Sequence, residues 1–127
     1  MIGRRLGSCQ MPRLTARSAR ATISKIVRED GAMLTVVATM KVKAGSEAQF
    51  EELISKLVAQ TRQEPGTRRY QLFRSVEEPS TYLMYEQYED KAAFESHSSS
   101  DHFKEFFVSS KSLMAGRPEV AMFSPAE

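Results

Sequence analysis

RRYQLFRSVEEPSTYLMYEQY, residues 68–88, decides the fold. Two runs rich in Tyr, Phe, Leu and Val flank Glu77-Glu78-Pro79-Ser80, and apolar runs separated by a short Pro-containing turn predict a β-hairpin. Alternation places Arg68, Tyr70, Leu72 and Arg74 on one side of the first strand, with Arg69 on the other, and Tyr82, Met84, Glu86 and Tyr88 on one side of the second. Upstream, Pro65-Gly66 stops a helix whose Phe50, Leu53, Ile54, Leu57, Val58 and Thr61 recur at the helical period. Ser46 opens that helix, with Gln49 completing a capping box. Before it, the β-branched run MLTVVATMKV (33–42) reads as a strand that ends at the breaker Gly45. Downstream, Asp90 caps a short helix through Phe94 and His97, and Ser98, Ser99 and Ser100 break it. Asp101 starts another helix, with Phe103, Phe106, Phe107, Ser110, Leu113 and Met114 on one side, and Gly116 and Pro118 end it. EVAMF (119–123) supplies the last strand.

The order β-α-β-β-α-α-β predicts an α+β, ferredoxin-like domain, a four-stranded antiparallel sheet with helices on one face. The second face, with Thr35, Val37 and Thr39 on the first strand and Leu83, Tyr85 and Gln87 on the third, is not strongly polar. Two such sheets packed face to face would bury it, so a homodimer is expected, each protomer keeping its own cavity between sheet and helices.

A chain of 127 residues, 41% hydrophobic and 27% charged, makes one domain. No apolar run approaches the roughly 20 residues a spanning helix needs, so no membrane partner is expected. The single cysteine, Cys9, excludes an internal disulfide and a Cys-rich zinc site. The net charge of +2 hides an asymmetry: residues 1–30 carry seven basic and two acidic side chains, residues 31–127 eleven and fourteen. A mildly acidic domain is not expected to bind nucleic acid. Residues 1–32 therefore read as a basic extension to a domain over 33–127. That extension suits an organelle transit peptide, a flexible tail or an upstream start, with Met33 an alternative start and the cytoplasm the expected compartment unless the leader is a targeting signal.

The runs TVVATMKVKAGSEAQFEELI and EPGTRRYQLFRSVEEPSTYLMYEQYEDKAAFESHSSSDHF, with the tail SLMAGRPEV, resemble the antibiotic biosynthesis monooxygenase family of the dimeric α/β barrel superfamily, from Met33 to about Pro125. The resemblance implies a dimeric barrel. It also implies one of several activities: cofactor-independent oxygenation of polyphenols or quinols, haem degradation, or isomerisation of a phosphorylated signal. The absence of Trp, with Glu86-Gln87-Tyr88 where many members have Glu-x-Trp, points away from haem degradation, as does Ala38 where those members have Asn. By the same resemblance Glu86 and Tyr88 face the helix-side cavity.

The only two histidines, His97 and His102, fall within FESHSSSDHF. A partly buried imidazole accepts a proton near neutral pH, which both oxidation of a quinol and isomerisation of a hydroxy-dicarbonyl require. His97 is thus the candidate base, with a structural role as its alternative. His102 is a second candidate that could instead bond a backbone carbonyl or Asp101. Tyr88 could donate to a developing oxyanion, or only fill space. Glu86 could orient a histidine or act as an acid, or only pair with Arg68 or Arg74. Phe50, Tyr70, Met84 and Phe107 are candidate substrate contacts or ordinary core, and Arg74 a candidate anchor for a phosphorylated substrate or a solvated edge charge. The histidines share no helix face and no Cys or carboxylate stands at a ligand interval, so no metal is expected. Without a Gly-rich phosphate loop, neither flavin nor nicotinamide is expected. The expected function is a cofactor-independent monooxygenase of a small quinol or polyphenol. Isomerisation of a phosphorylated hydroxy-dicarbonyl and a non-catalytic binding dimer are the alternatives.

Overall fold

A computed structural model describes residues 33–127; the basic extension over 1–32 lies outside the described residues. Strand β1 (Leu34–Lys41) leads into helix α1 (Glu47–Thr61), the hairpin β2 (Thr67–Arg74) and β3 (Thr81–Tyr88), helices α2 (Lys91–Ser98) and α3 (Asp101–Ser110), a 3-10 turn at Lys111–Leu113 and strand β4 (Glu119–Phe123). The strands form one sheet in the order β2-β3-β1-β4, every neighbour antiparallel. This is the ferredoxin-like arrangement that the order of elements predicts.

Register sets which side chains meet beneath the helices. Glu86 lies between Val36 and Tyr70, Met84 between Ala38 and Leu72, and Tyr82 between Met40 and Arg74. All point to the same face because side chains alternate along a strand. Phe50, Ile54 and Leu57 of α1 close over Met40, Tyr70, Tyr82 and Met84 to form the main core. A smaller cluster of Leu34, Val36 and Tyr88 packs under Ala93 and Phe94 of α2.

Two local expectations change. Ser46 precedes α1 with φ −102° and ψ 6°, outside the extended geometry of a side-chain cap, and its hydroxyl caps nothing. The Gly45 amide instead donates to Glu47 Oε1 at 2.9 Å, and Gly45 itself turns with φ 92°. Helix α3 starts at Asp101 as read, and Ser100 caps it: the Ser100 hydroxyl accepts from the Phe103 amide at 3.3 Å and donates to the His97 carbonyl at 2.7 Å. In β2 the register shifts between Thr67 and Arg69, so Arg68 bulges out of the alternation and meets Glu89 at 3.0 Å. Asp90 caps α2 as read, accepting from the Ala93 amide at 2.9 Å.

The turn from α1 to β2 runs hard against α2. The Glu89 amide donates to the Gly66 carbonyl at 2.8 Å, and a Cβ on Gly66 would lie 2.5 Å from Ala93 Cβ. Gly66→Ala is therefore expected to force turn and helix apart and to cost about 1–3 kcal/mol, the usual range for overpacking. Urea denaturation checks it, with an unchanged midpoint as the contrary result.

Candidate active site

The α1–β2 turn that Gly66 permits also delivers Glu64. Its amide bonds the Thr61 carbonyl at 3.0 Å, its Oε1 accepts from the Thr67 hydroxyl at 3.2 Å, and its Oε2 is thereby aimed under the corner between α2 and α3. There Oε2 meets His97 Nδ1 at 3.1 Å and, closer still, His102 Nε2. Ser99 and Ser100 make the corner that brings both rings to one carboxylate.

His97 is 1% exposed. The rings of Tyr70, Tyr88 and Phe103 surround it, with centroids at 5.3, 5.6 and 5.1 Å. Burial disfavours the imidazolium and lowers the His97 pKa, opposed by the hydrogen bond and charge of Glu64. A neutral ring facing a carboxylate carries its proton on that side, so Nδ1 donates to Glu64 and Nε2 keeps a lone pair. Nε2 has no hydrogen-bond partner among the described residues.

His97 lines a cavity of about 690 Å³ between the sheet and α2–α3. Its walls are largely apolar, from Ala38, Met40, Ile54, Met84, Phe103, Phe106 and Met114, with Tyr70, Glu86 and His97 as polar groups and Lys111 and Arg117 also on its lining. Glu86 is 6% exposed. Burial pushes its carboxyl up to about 7, countered by a 2.6 Å hydrogen bond donated by Tyr88 and reinforced by the charge of Glu64. Burial likewise raises Tyr70 and Tyr88, so both are neutral phenols at physiological pH. The site thus holds an oriented imidazole and a carboxyl that is partly protonated at neutral pH. That pairing suits proton removal and redelivery within one apolar space.

Of the candidates read from the sequence, His97, Tyr70, Met84, Glu86 and Phe107 line this cavity, Phe107 while 54% exposed. The other four lie elsewhere. Tyr88 commits its hydroxyl to Glu86, and Phe50 stacks on Tyr82 at 4.9 Å within the core. Arg74 pairs with Glu51 at 2.9 Å. His102 opens on a separate groove between α1 and α3. Glu86 pairs with neither arginine, and His102 bonds Glu64 rather than Asp101. Glu64 was missed because its meaning lies in contacts 33 and 38 residues away; only the adjoining Pro65-Gly66 turn hinted that its position is fixed. No carboxylate stands at a ligand interval from the histidines in sequence, but Glu64 meets both from another element, which interval counting along one helix cannot see.

The described residues form a small α+β domain with a buried imidazole and a buried carboxyl on one apolar sheet–helix cavity. The sequence profile of the antibiotic biosynthesis monooxygenase family matches residues 33–108, and the chain belongs to that family. The chain is 33% identical over 88 residues to the "Putative monooxygenase YcnE" of Bacillus subtilis (strain 168), covering 69% of this chain and 93% of that one. A solved structure from Caulobacter crescentus CB15 is 35% identical with a TM-score of 0.73, covering 76% of this chain and 92% of that one. Another, from Pseudomonas aeruginosa, is 27% identical with a TM-score of 0.71, covering 76% and 96%. Among the described residues no helix is long and apolar enough to cross a membrane.

The buried carboxyl makes stability depend on pH. Glu86 has a folded-state pKa raised from 4.5 to about 7, so its contribution is fully present below about pH 4.5 and is lost as pH rises through about 7. The lowered pKa of His97 acts in the opposite direction, so the comparison is between proteins: from pH 5 to pH 8 in urea unfolding the wild type is expected to lose about 2–3 kcal/mol more stability than Glu86→Gln. Parallel profiles for the two proteins would contradict the assignment.

Proposed function

We propose that the protein is a monooxygenase of a small quinol or polyphenol, working with dioxygen and no bound cofactor, and that His97 held by Glu64 is its base. The observation that carries this reading is a buried, carboxylate-oriented imidazole, its Nε2 without a hydrogen-bond partner among the described residues, on an apolar cavity that also receives Glu86. Family membership and the relative named a putative monooxygenase support an oxygenation reading. His97 takes the phenolic proton, and the resulting anion is electron-rich enough to reduce dioxygen. A ring C–O bond forms, and the His97 proton passes to the peroxide oxygen. The O–O bond then breaks as protonated Glu86 gives its proton to the departing oxygen, while the ring proton replaces it on Glu86. Quinol and dioxygen become hydroxyquinone and water, one oxygen atom in each product. Tyr88 keeps the Glu86 carboxyl in place through the 2.6 Å bond.

Isomerisation of a phosphorylated substrate would need a cation at the reacting end. Arg68 and Arg74, the cations first considered for that role, are held instead by Glu89 and Glu51 and do not line the cavity, whereas Lys111 and Arg117 do. Purified protein is expected to consume dioxygen with reduced naphthoquinones faster than buffer does, and His97→Ala to lose about 100-fold or more of that gain. Since Glu86 must be protonated and its pKa is about 7, kcat/KM should fall as pH rises through 7, and Glu86→Gln should remove that limb. Uptake no faster than autoxidation across a panel of quinols, or a tightly retained ligand with no turnover, would overturn the proposal.

The working unit in this reading is a homodimer of residues 33–127, with 1–32 dispensable for folding. The sheet face away from the helices carries Val37, Leu83 and Tyr85 in register, flanked by Phe73 and Phe123 at 47% and 54% exposure. Apolar area left in water costs roughly 25 cal/mol per Å², which favours covering this face with its own copy. Light scattering on residues 33–127 should give a dimer and on a Tyr85→Glu variant a monomer; a monomeric parent would refute this assembly.

A further inference from the structure

We propose that Glu64, His97 and His102 form a binding site for a divalent first-row transition cation, and that its occupancy withdraws the His97 base. The three side chains come from separate segments, and their donor atoms, Glu64 Oε2, His97 Nδ1 and His102 Nε2, lie within 4.8 Å of one another. A tetrahedral ion with bonds of about 2.0–2.2 Å needs donors about 3.3 Å apart. The His97–Glu64 pair is already at 3.1 Å and the His102–Glu64 pair is closer, so a modest swing of the His102 ring completes the set. His102 is the ring with room to move, its side chain 20% exposed against 2% for His97.

The surroundings match what such a site needs. Thr67 holds the other oxygen of Glu64 at 3.2 Å, leaving Oε2 as a single aimed ligand, and outer partners of this kind orient metal-binding carboxylates. Two imidazoles and one carboxylate select zinc-like ions over magnesium or calcium, which prefer all-oxygen sets. His102 lines the groove between α1 and α3, so an ion reaches the site from that side without passing through the substrate cavity, and water takes the fourth position.

The chemical consequence follows from the tautomer. With Nδ1 donating to Glu64, His97 has its lone pair on Nε2. An ion on Nδ1 needs the lone pair there, so the ring proton moves to Nε2, and the nitrogen that would accept a substrate proton becomes a donor. The binding half of this inference goes beyond the proposed oxygenation and stands without it. Only the inhibitory half, read as activity, rests on that reading.

Co²⁺ titrated into the tag-free full chain, followed by its visible ligand-field absorption, tests the site without any substrate. One saturable equivalent is expected. Glu64→Gln and His102→Asn, each confirmed as folded by circular dichroism, should weaken it at least about tenfold, and Cys9→Ser should leave it unchanged. Zn²⁺ added to ¹⁵N-labelled protein should then move the His97 proton from Nδ1 to Nε2 in long-range ¹H–¹⁵N spectra, whether or not a quinol is turned over. Where turnover is measurable, Zn²⁺ should abolish it with the same half-saturation. No saturable binding, binding untouched in both site variants, or binding lost only with Cys9→Ser would overturn the site. A His97 tautomer unchanged at saturation would overturn the switch.

Discussion

The contact on which the rest depends is the carboxylate of Glu64 against the two histidines. It joins the turn between α1 and β2 to the corner between α2 and α3, two places with no local reason to meet. Burial dominates the titration of both His97 and Glu86, and the charge of Glu64 opposes it at His97 and adds to it at Glu86, so one side chain acts on both. The backbone economy around it is tight. Gly66 lets the turn lie against α2, Ser100 ties the His97 carbonyl to the start of α3, and Thr67 fixes the remaining oxygen of Glu64. A carboxylate shared in this way orders both rings without any backbone hydrogen bond between the two segments.

The sheet does a different job. Its register lines up Tyr70, Glu86 and Val36 across three strands, which puts a titratable group in the middle of an otherwise apolar floor. An ionised carboxylate there would be costly, and the single bond from Tyr88 offsets only part of the cost, so the group resists giving up its proton. Tyr88 and Tyr82 play matching parts at two ends of β3, each giving its hydroxyl to a carboxylate, Glu86 in one case and Glu51 in the other at 2.6 Å. Only the first of those carboxylates lines the cavity.

What was legible in the sequence was what depends on near neighbours. The β-branched run before Gly45, the Pro79 turn, the stripe from Phe50 to Thr61 and the Asp90 cap all follow from periodicity and local hydrogen bonding, and these suffice for the fold. The Ser46 cap failed because a capping box needs extended backbone as well as the right residue types. The bulge at Arg68 broke an alternation argument that assumes an unbroken ladder. In the site, His97 stood out as a rare titratable residue in an apolar helix pattern, and Glu86 as a charge on a buried strand face. Glu64 did not, because nothing within a few residues marks it; its role exists only once two helices and a strand are packed. Tyr88, which the resemblance turned toward the cavity, and Arg74, a candidate anchor, were drawn to carboxylates, Glu86 and Glu51, whose positions the sequence alone does not give.

The central claim is that Glu64 makes His97 an oriented base rather than a packed ring. The most direct test is the steady-state kinetics of Glu64→Gln with a reduced naphthoquinone. The amide keeps the size and a hydrogen-bond acceptor while removing the charge that stabilises the imidazolium formed on proton transfer. The account predicts kcat lower by about 100-fold with KM for the quinol little changed, since Glu64 does not line the cavity. An unaltered kcat, or a loss confined to KM, would contradict it.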